Sequence, residues 1–264
     1  MKYTAQAEWQ PLLLDPTGQR QSKPRQTGKT MVIDKGIGMS AYVDMLEASA
    51  PYIDMIKIGF GTSPLYPINL LQKKIGLAKE HDIVIYPGGT FLEVAVVQQE
   101  LDSCFDMIRA LGFNGLEVSD GTIELGRPVR NRLIEQGREL GLTVLTEYGK
   151  KAWGSKIEID QLIYTIHQDV EYGAEMVIVE GRESGKGVGL FDAQGDCEEM
   201  TVHEVMEHLK NPDILMWEAP LKNQQVQLMK MMGSHVNLGN IGVEDVYSLE
   251  CLRRGLRSDT FVLK

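Results

Sequence analysis

Short apolar runs alternate with longer helical stretches along most of this chain. The apolar runs fall at 30–34 (TMVID), 53–59 (IDMIKIG), 83–88 (IVIYPG), 114–120 (NGLEVSD), 142–149 (LTVLTEYG), 175–181 (EMVIVEG), 213–219 (DILMWEA) and 235–240 (HVNLGN). Most are near-continuous, not alternating, which predicts parallel strands covered on both faces. Between them, apolar positions recur at a helical period, most clearly in FLEVAVVQQELDSCFDMIRALG and IDQLIYTIHQDVEYGA. Gly112, Gly141 and Gly173 end three such stretches, and each is followed by a strand and then an acid. Glycine there can take the left-handed conformation that closes a helix. Eight strand–helix units in 264 residues predict an α/β fold, a (β/α)8 TIM barrel with eight parallel strands over 30–264. Residues 1–29 lack a strong period and read as an N-terminal extension packed on it. The competing topology is an open doubly wound sheet. Its dinucleotide form wants GxGxxG after the first strand, and DKGIGMSA has only Gly36 and Gly38.

In a barrel the C-terminal ends of the strands converge on one mouth, so those ends form a list of candidates. They carry Asp34 and Lys35, Lys57, the Pro87–Thr90 turn, Glu117 with Ser119 and Asp120, Glu147 with Lys150 and Lys151, Glu180 with Arg182, Glu218, and Asn237 with Asn240. Carboxylates come from five strands, with basic groups beside several of them. Buried charges of this density must pair or bind something. The residue types point to a hard cation held by carboxylate oxygens and an anion held by Lys and Arg. The loop VIVEGRESGKGVGL is not a P-loop. Only three residues separate Gly181 from Gly185, and Gly187 stands where a hydroxyl should follow Lys186. Five scattered histidines and the lack of a GxSxG elbow argue against a zinc site and a serine hydrolase.

Composition narrows the partners. A net charge of −10 argues against nucleic acid or an anionic membrane as partner, but leaves room for a small anion held by local cations. No apolar run has signal-peptide or membrane-spanning length. Cys104, Cys197 and Cys251 form no CxxC, so a reducing, cytoplasmic setting is expected. Several charged residues have plainer readings. Glu93, three residues after Thr90, reads as a capping-box acid, and Asp120-Gly121 as a turn. Lys73, Lys74, Arg130, Arg132 and Arg138 read as solvated helix faces. Arg253, Arg254 and Arg257 read as a solvated face or a subunit contact, which leaves a homo-oligomer open.

The strand-end segments DKG, KIGFGTS, YPGGT, LEVSDG, LTEYGKK, VEGRESGKGVGLFD, WEAP, VNLGNI and SLECLRRGLRSDTF occur in this order from about Lys23 to Phe261. Together they closely resemble the ComA family of phosphosulfolactate synthases. One departure is Tyr148, where the family often has Val. The resemblance implies a (β/α)8 barrel that adds sulfite to phosphoenolpyruvate with Mg²⁺, giving (2R)-2-O-phospho-3-sulfolactate through an aci-carboxylate. It implies Lys151 as the acid that protonates this species, with Lys150 and burial lowering its pKa. Mg²⁺ is expected on Asp34, Glu117 and Glu147, with Glu180 and Glu218 in reserve. The substrate's anionic groups are expected on Lys57, Arg182, Ser184, Lys186, Asn237 and Asn240. Whether the product goes to coenzyme M or to free sulfolactate stays open. Two competing functions are a Schiff-base aldolase on Lys151 or Lys57, and a non-catalytic role like that of the plant heat-stress-associated proteins resembling the same family. The intact strand-end acids and both lysines argue against the second.

Overall fold

The computed structural model describes residues 9–261. The chain runs α1 (Pro11–Leu14), β1 (Thr30–Asp34), α2 (Met39–Ser49), β2 (Met55–Ile58), α3 (Ile68–Glu80), β3 (Val84–Pro87), α4 (Gly89–Gln98), α5 (Leu101–Leu111), β4 (Gly115–Val118), α6 (Arg127–Glu139), β5 (Thr143–Tyr148), α7 (Ile159–Tyr172), β6 (Met176–Val179), α8 (Glu199–His208), β7 (Leu215–Glu218), α9 (Lys222–Met232), β8 (Leu238–Ile241) and α10 (Val246–Arg253). The sheet order is β3-β2-β1-β8-β7-β6-β5-β4, and its pairings are parallel. This is the expected TIM barrel, closed except for one seam between β3 and β4.

At that seam a side chain replaces the ladder. Asn114 Oδ1 accepts from Ile85 N at 2.7 Å, and its Nδ2 donates to Ile83 O at 3.2 Å. Gly115 lets the strands approach, since a Cβ there would sit 2.7 Å from Val84 Cγ1. Buried backbone groups need partners, and one asparagine supplies two of them.

Strand side chains alternate between the helices and the barrel interior. In β2, Ile56 and Ile58 pack under the helices, while Met55 and Lys57 face inward. In β7, Leu215 and Trp217 pack outward, while Met216 and Glu218 face inward. The interior floor is Met31, Met55, Tyr86, Leu145, Met176, Ile178 and Met216. The next inward position on β2, β4, β5 and β7 is ionisable: Lys57, Glu117, Glu147 and Glu218. An apolar floor therefore lies below a charged mouth.

The glycine caps behave as expected. Gly112, Gly141 and Gly173 have φ of 86°, 74° and 113°. The long helical stretch after β3 differs. It breaks at Gln99, which has φ 59°, into α4 and α5. α4 buries Leu92 and Ala95, and α5 buries Cys104, Phe105 and Ile108. Twelve residues separate Leu92 from Cys104, so one straight helix would rotate the second stripe about 120° away from the core. The break re-aims it.

Residues 9–29 lie against the N-terminal ends of the strands, opposite the mouth. Lys23 Nζ donates to Ile53 O at 2.7 Å and to His81 O at 2.8 Å, and Arg20 pairs with Glu250 at 3.0 Å. Residues 1–8 of the predicted extension fall outside the described residues.

Three residues read as surface charges are internal. Lys74 is fully buried, with its ammonium on Asp34 and between the rings of Tyr42 and Tyr66. Arg130 clasps Asp169 with Nε at 3.0 Å and Nη2 at 2.7 Å. Arg253 donates to the carbonyls of Ser234, Val236 and Lys29. In each case the partner comes from a distant element, so helical spacing alone gave no sign of it. Among the described residues no helix is long and apolar enough to cross a membrane.

Candidate active site

The mouth holds a cavity of about 160 Å³. Its charged wall is Lys57, Glu147, Lys151, Glu180, Arg182, Glu183 and Glu218, and its apolar wall includes Ile33 and Phe60. Lys57 Nζ lies 3.0 Å from Glu117, 3.0 Å from Glu147 and 3.2 Å from Glu218. The contacts to Glu147 and Glu218 are hydrogen bonds, and that to Glu117 is an ion pair without one. Lys57 lines the cavity, as expected of a site residue, with its ammonium set among these carboxylates. Burial pulls its pKa down, but Glu117, Glu147 and Glu218 outweigh burial and hold it well above the ordinary lysine value.

Lys151 reaches into the same cavity from the loop after β5. Its Nζ is 2.8 Å from Glu147 Oε1, 3.4 Å from Glu180 Oε2 and 3.4 Å from Thr90 Oγ1. Burial lowers its pKa, but Glu147 and Glu180 outweigh burial and raise it. The expected depression by Lys150 is absent. Lys150 turns away from the mouth and donates to Asp120 O at 2.7 Å and Ile123 O at 2.9 Å.

The acids are held by backbone as well as by lysines. Glu218 Oε2 accepts from Gly181 N at 3.0 Å and Arg182 N at 3.1 Å, and Arg182 N also donates to Glu180 Oε1 at 2.6 Å. Arg182 has a left-handed φ of 58°, which turns its amide back toward both carboxylates. Glycine is required beside it, because a Cβ on Gly181 would lie 2.6 Å from Glu218 O. Arg182 Nη1 donates to Lys151 O at 3.1 Å, so the two cation-bearing loops are joined.

Glu147, Glu180 and Glu218 each offer an oxygen within 4.8 Å of the others, and all three are buried. Counting Glu117, four acids face two ammonium groups, Lys57 and Lys151. The excess of two negative charges shows in the proton affinities. Burial, then Glu147 and Glu218, pushes Glu180 well above the carboxylate range. Burial raises Glu117 to about 7, against the pull of Lys57. Glu147 is the exception, since Lys57 and Lys151 together overcome burial and hold it low. Three hard carboxylate oxygens converging on one cavity fit a divalent cation.

The other predicted site residues divide. Asp34 stands at the end of β1 but accepts from Lys74, Tyr66, Gly36 N and Ile37 N, and does not line the cavity. Glu117 lies behind Lys57 and accepts from Gly89 N at 2.7 Å. Glu180 and Glu218, held in reserve from the sequence, line the cavity with Glu147, and Asp34 and Glu117 do not. Arg182 and Asn240 line the cavity, and the buried Asn240 Oδ1 has no hydrogen-bond partner among the described residues. Ser184 and Lys186 are exposed and lie outside its wall. Asn237 sits at the opposite end of the barrel. Its Nδ2 donates to Asp213 O at 2.9 Å and Leu215 O at 3.0 Å, and its Oδ1 accepts from Lys29 N at 2.9 Å. It precedes β8 instead of following it, which a strand-end list cannot distinguish. Phe60, with φ 56°, is a wall residue that the sequence reading missed; its flanking glycines in KIGFGTS were the available signal.

A family profile described as (2R)-phospho-3-sulfolactate synthase (ComA) matches residues 18–259. The chain belongs to this family. It is 42% identical over 240 residues to a phosphosulfolactate synthase of Methanocaldococcus jannaschii, covering 89% of this chain and 94% of that one. A Methanothermobacter thermautotrophicus protein of the same name is 40% identical, with 92% and 95% covered, and one from Bacillus subtilis is 36% identical, with 92% and 96% covered. An Escherichia coli aldolase (TM-score 0.56, 12% identity, 83% of this chain and 76% of that one) has a similar fold. So does a Salmonella typhimurium 3-hexulose-6-phosphate synthase (TM-score 0.53, 13% identity, 84% and 96%).

Proposed function

We propose that this ComA-family protein adds sulfite to phosphoenolpyruvate to form (2R)-2-O-phospho-3-sulfolactate, with Mg²⁺ on Glu147, Glu180 and Glu218. One observation carries the reading: the buried carboxylate triad opens onto the same cavity as the Lys151 ammonium. The bound ion would supply Lewis-acid stabilisation of negative charge on the substrate carboxylate. The sulfite sulfur attacks the methylene carbon, and the double-bond electrons move toward that carboxylate. Lys151 then delivers a proton to the carbon bearing phosphate and is reprotonated from solvent. Its position on one wall gives protonation of one face.

Lys57 keeps Glu147 and Glu218 oriented and keeps their charge from scattering the triad. Arg182 is the half-buried cation free to turn its remaining donors toward an anionic group, and Asn240 adds a polar side chain. The start of α4, with Gly88, Gly89 and Thr90 on the wall, presents the positive end of a helix to the same space. Ile33 and Phe60 provide the apolar side suited to a methylene carbon. Neutralising Glu147 and Glu180 removes the attraction that holds the Lys151 proton, which makes Lys151 a stronger acid when it is needed. A Schiff base on either lysine is disfavoured, because both ammonium groups are held protonated by carboxylates.

The test is direct. Purified protein is mixed with phosphoenolpyruvate, sulfite and Mg²⁺, and loss of the enol absorbance is followed. Loss should require sulfite, stop with EDTA, and vanish in Lys151→Ala while the fold is retained. Sulfite-independent loss, indifference to EDTA, or a near-normal rate in Lys151→Ala would overturn the mechanism.

A further inference from the structure

Glu93 is a buried acid, 2% exposed, with no part in the proposed reaction. The capping role predicted for it is not what it does: α4 is capped at Gly88 without a side-chain bond. Instead, Glu93 Oε1 accepts from Ser119 Oγ, and its Oε2 accepts from Thr122 N at 2.9 Å. Both donors belong to the loop after β4. The Gly121 carbonyl of that loop accepts from Lys151 N at 3.1 Å. A Cβ on Gly121 would lie 3.0–3.1 Å from Cγ, Cδ and Cε of Lys151, so the lysine stem lies flat along this glycine. At its far end the ammonium reaches Thr90 Oγ1 at 3.4 Å, one turn before Glu93 on the same helix. α4 thus holds Lys151 twice, directly through Thr90 and indirectly through the loop that Glu93 fixes.

We propose that Glu93 is a positioning residue that sets the height and direction of the Lys151 ammonium by fixing residues 119–122. This rests on Lys151 being the proton donor. A carboxylate is suited to the task because it accepts from two donors at once, and both are satisfied without water. Glu93→Gln keeps the volume but turns an NH₂ toward one of the donors. Glu93→Ala removes both acceptors. Gly121→Ala is an independent probe. That position has no positive φ, so alanine strains the backbone little, yet its methyl must push the Lys151 stem aside.

The three variants are compared with the parent for melting temperature, kcat, KM for both substrates, and acylation of Lys151 relative to the other lysines, read by peptide mass spectrometry. In Glu93→Ala and Gly121→Ala, kcat should fall by roughly tenfold to a hundredfold, the scale of a small misplacement of a reacting group. KM should stay within a factor of two (roughly), and the relative labelling of Lys151 should change severalfold. Glu93→Gln should lie between Glu93→Ala and the parent. Unchanged kcat, unchanged relative labelling, or a uniform rise in labelling of all lysines with a lower melting temperature would overturn the proposal. If the Glu93 variants do not fold, Gly121→Ala decides on the same readouts. A parent protein that consumes no phosphoenolpyruvate overturns the reaction instead, and the labelling still decides whether Glu93 positions Lys151.

Discussion

Replacing Lys57 by methionine should destabilise the protein most at high pH, and the deficit should shrink as the pH falls. The three carboxylate contacts are at 3.0, 3.0 and 3.2 Å. At an effective dielectric of about 20, each such pair is worth about 5 kcal/mol before desolvation. Desolvation of the ammonium and mutual repulsion of the acids take back most of the sum, and removing one partner of a buried cluster costs about 3–5 kcal/mol. The pH dependence follows from the acids left behind. In the parent, Glu147 lies below its ordinary 4.5 because Lys57 and Lys151 outweigh burial. Its contribution is therefore present above 4.5 and lost as pH falls through the folded value. Glu117, raised to about 7 chiefly by burial, does the reverse: its contribution is present below 4.5 and lost as pH rises through about 7. Without Lys57, Glu147 moves toward the behaviour of Glu117. Each extra proton bound by the folded variant then restores about 1.4 kcal/mol per pH unit on acidification. Urea unfolding of both proteins in EDTA from pH 8.5 to 5.5 measures this (roughly the span between the two regimes). A variant as stable as the parent at the top of the range, or a deficit that grows on acidification, would refute the role given to Lys57.

Adding Mg²⁺ should raise the unfolding midpoint of the parent, by about 2.7 kcal/mol of stability at a hundred times its Kd, and Glu218→Gln should lose most of that gain. An equal gain in that variant would remove Glu218 from the metal site. Asn237→Ala should lower stability by about 1–3 kcal/mol, since it leaves two carbonyls and an amide without their partner, while substrate saturation stays unchanged. A raised KM would return Asn237 to the substrate site. Burial pushes the Cys104 thiol up to about 11 and the Cys197 thiol, with nearby Glu199 and Glu198 adding to it, up to about 12. Neither should react with iodoacetamide at pH 8 in the native state, and both should react in urea; rapid native labelling would contradict that burial.

The barrel was legible because its signal is local. Near-continuous apolar runs of strand length, separated by helical periods and closed by Gly112, Gly141 and Gly173, predict each unit without reference to any other. Where a distant partner decides the outcome, the local signal misleads. Lys74 and Arg130 have the spacing of surface residues, yet Lys74 is drawn inward by Asp34, and Arg130 by Asp169 and Asp120. The break at Gln99 is similar. It contains neither glycine nor proline, and what demands it is the direction of the core seen by α5.

The site followed the same division. Strand alternation brings Lys57, Glu117, Glu147 and Glu218 to one mouth, and an inventory of strand ends finds all four. Which acids face open space is a different question, answered by what already surrounds each one. Asp34 and Glu117 end their strands as Glu180 and Glu218 do. Yet Asp34 is saturated by Lys74, Tyr66 and two amides, and Glu117 is closed off by Lys57 and Gly89. Among the described residues Glu117 Oε2 and Glu180 Oε2 both lack a hydrogen bond, but Glu180 lines the cavity, as Glu147 and Glu218 do, and Glu117 does not. Carboxylates that reach the open cavity are available for chemistry, and those behind it serve the scaffold. That criterion gives the proposed cation to Glu147, Glu180 and Glu218 instead of Asp34, Glu117 and Glu147. It also makes the Gly181–Arg182 turn, which brings two backbone amides to Glu218 and Glu180, as much a part of the site as the acids themselves.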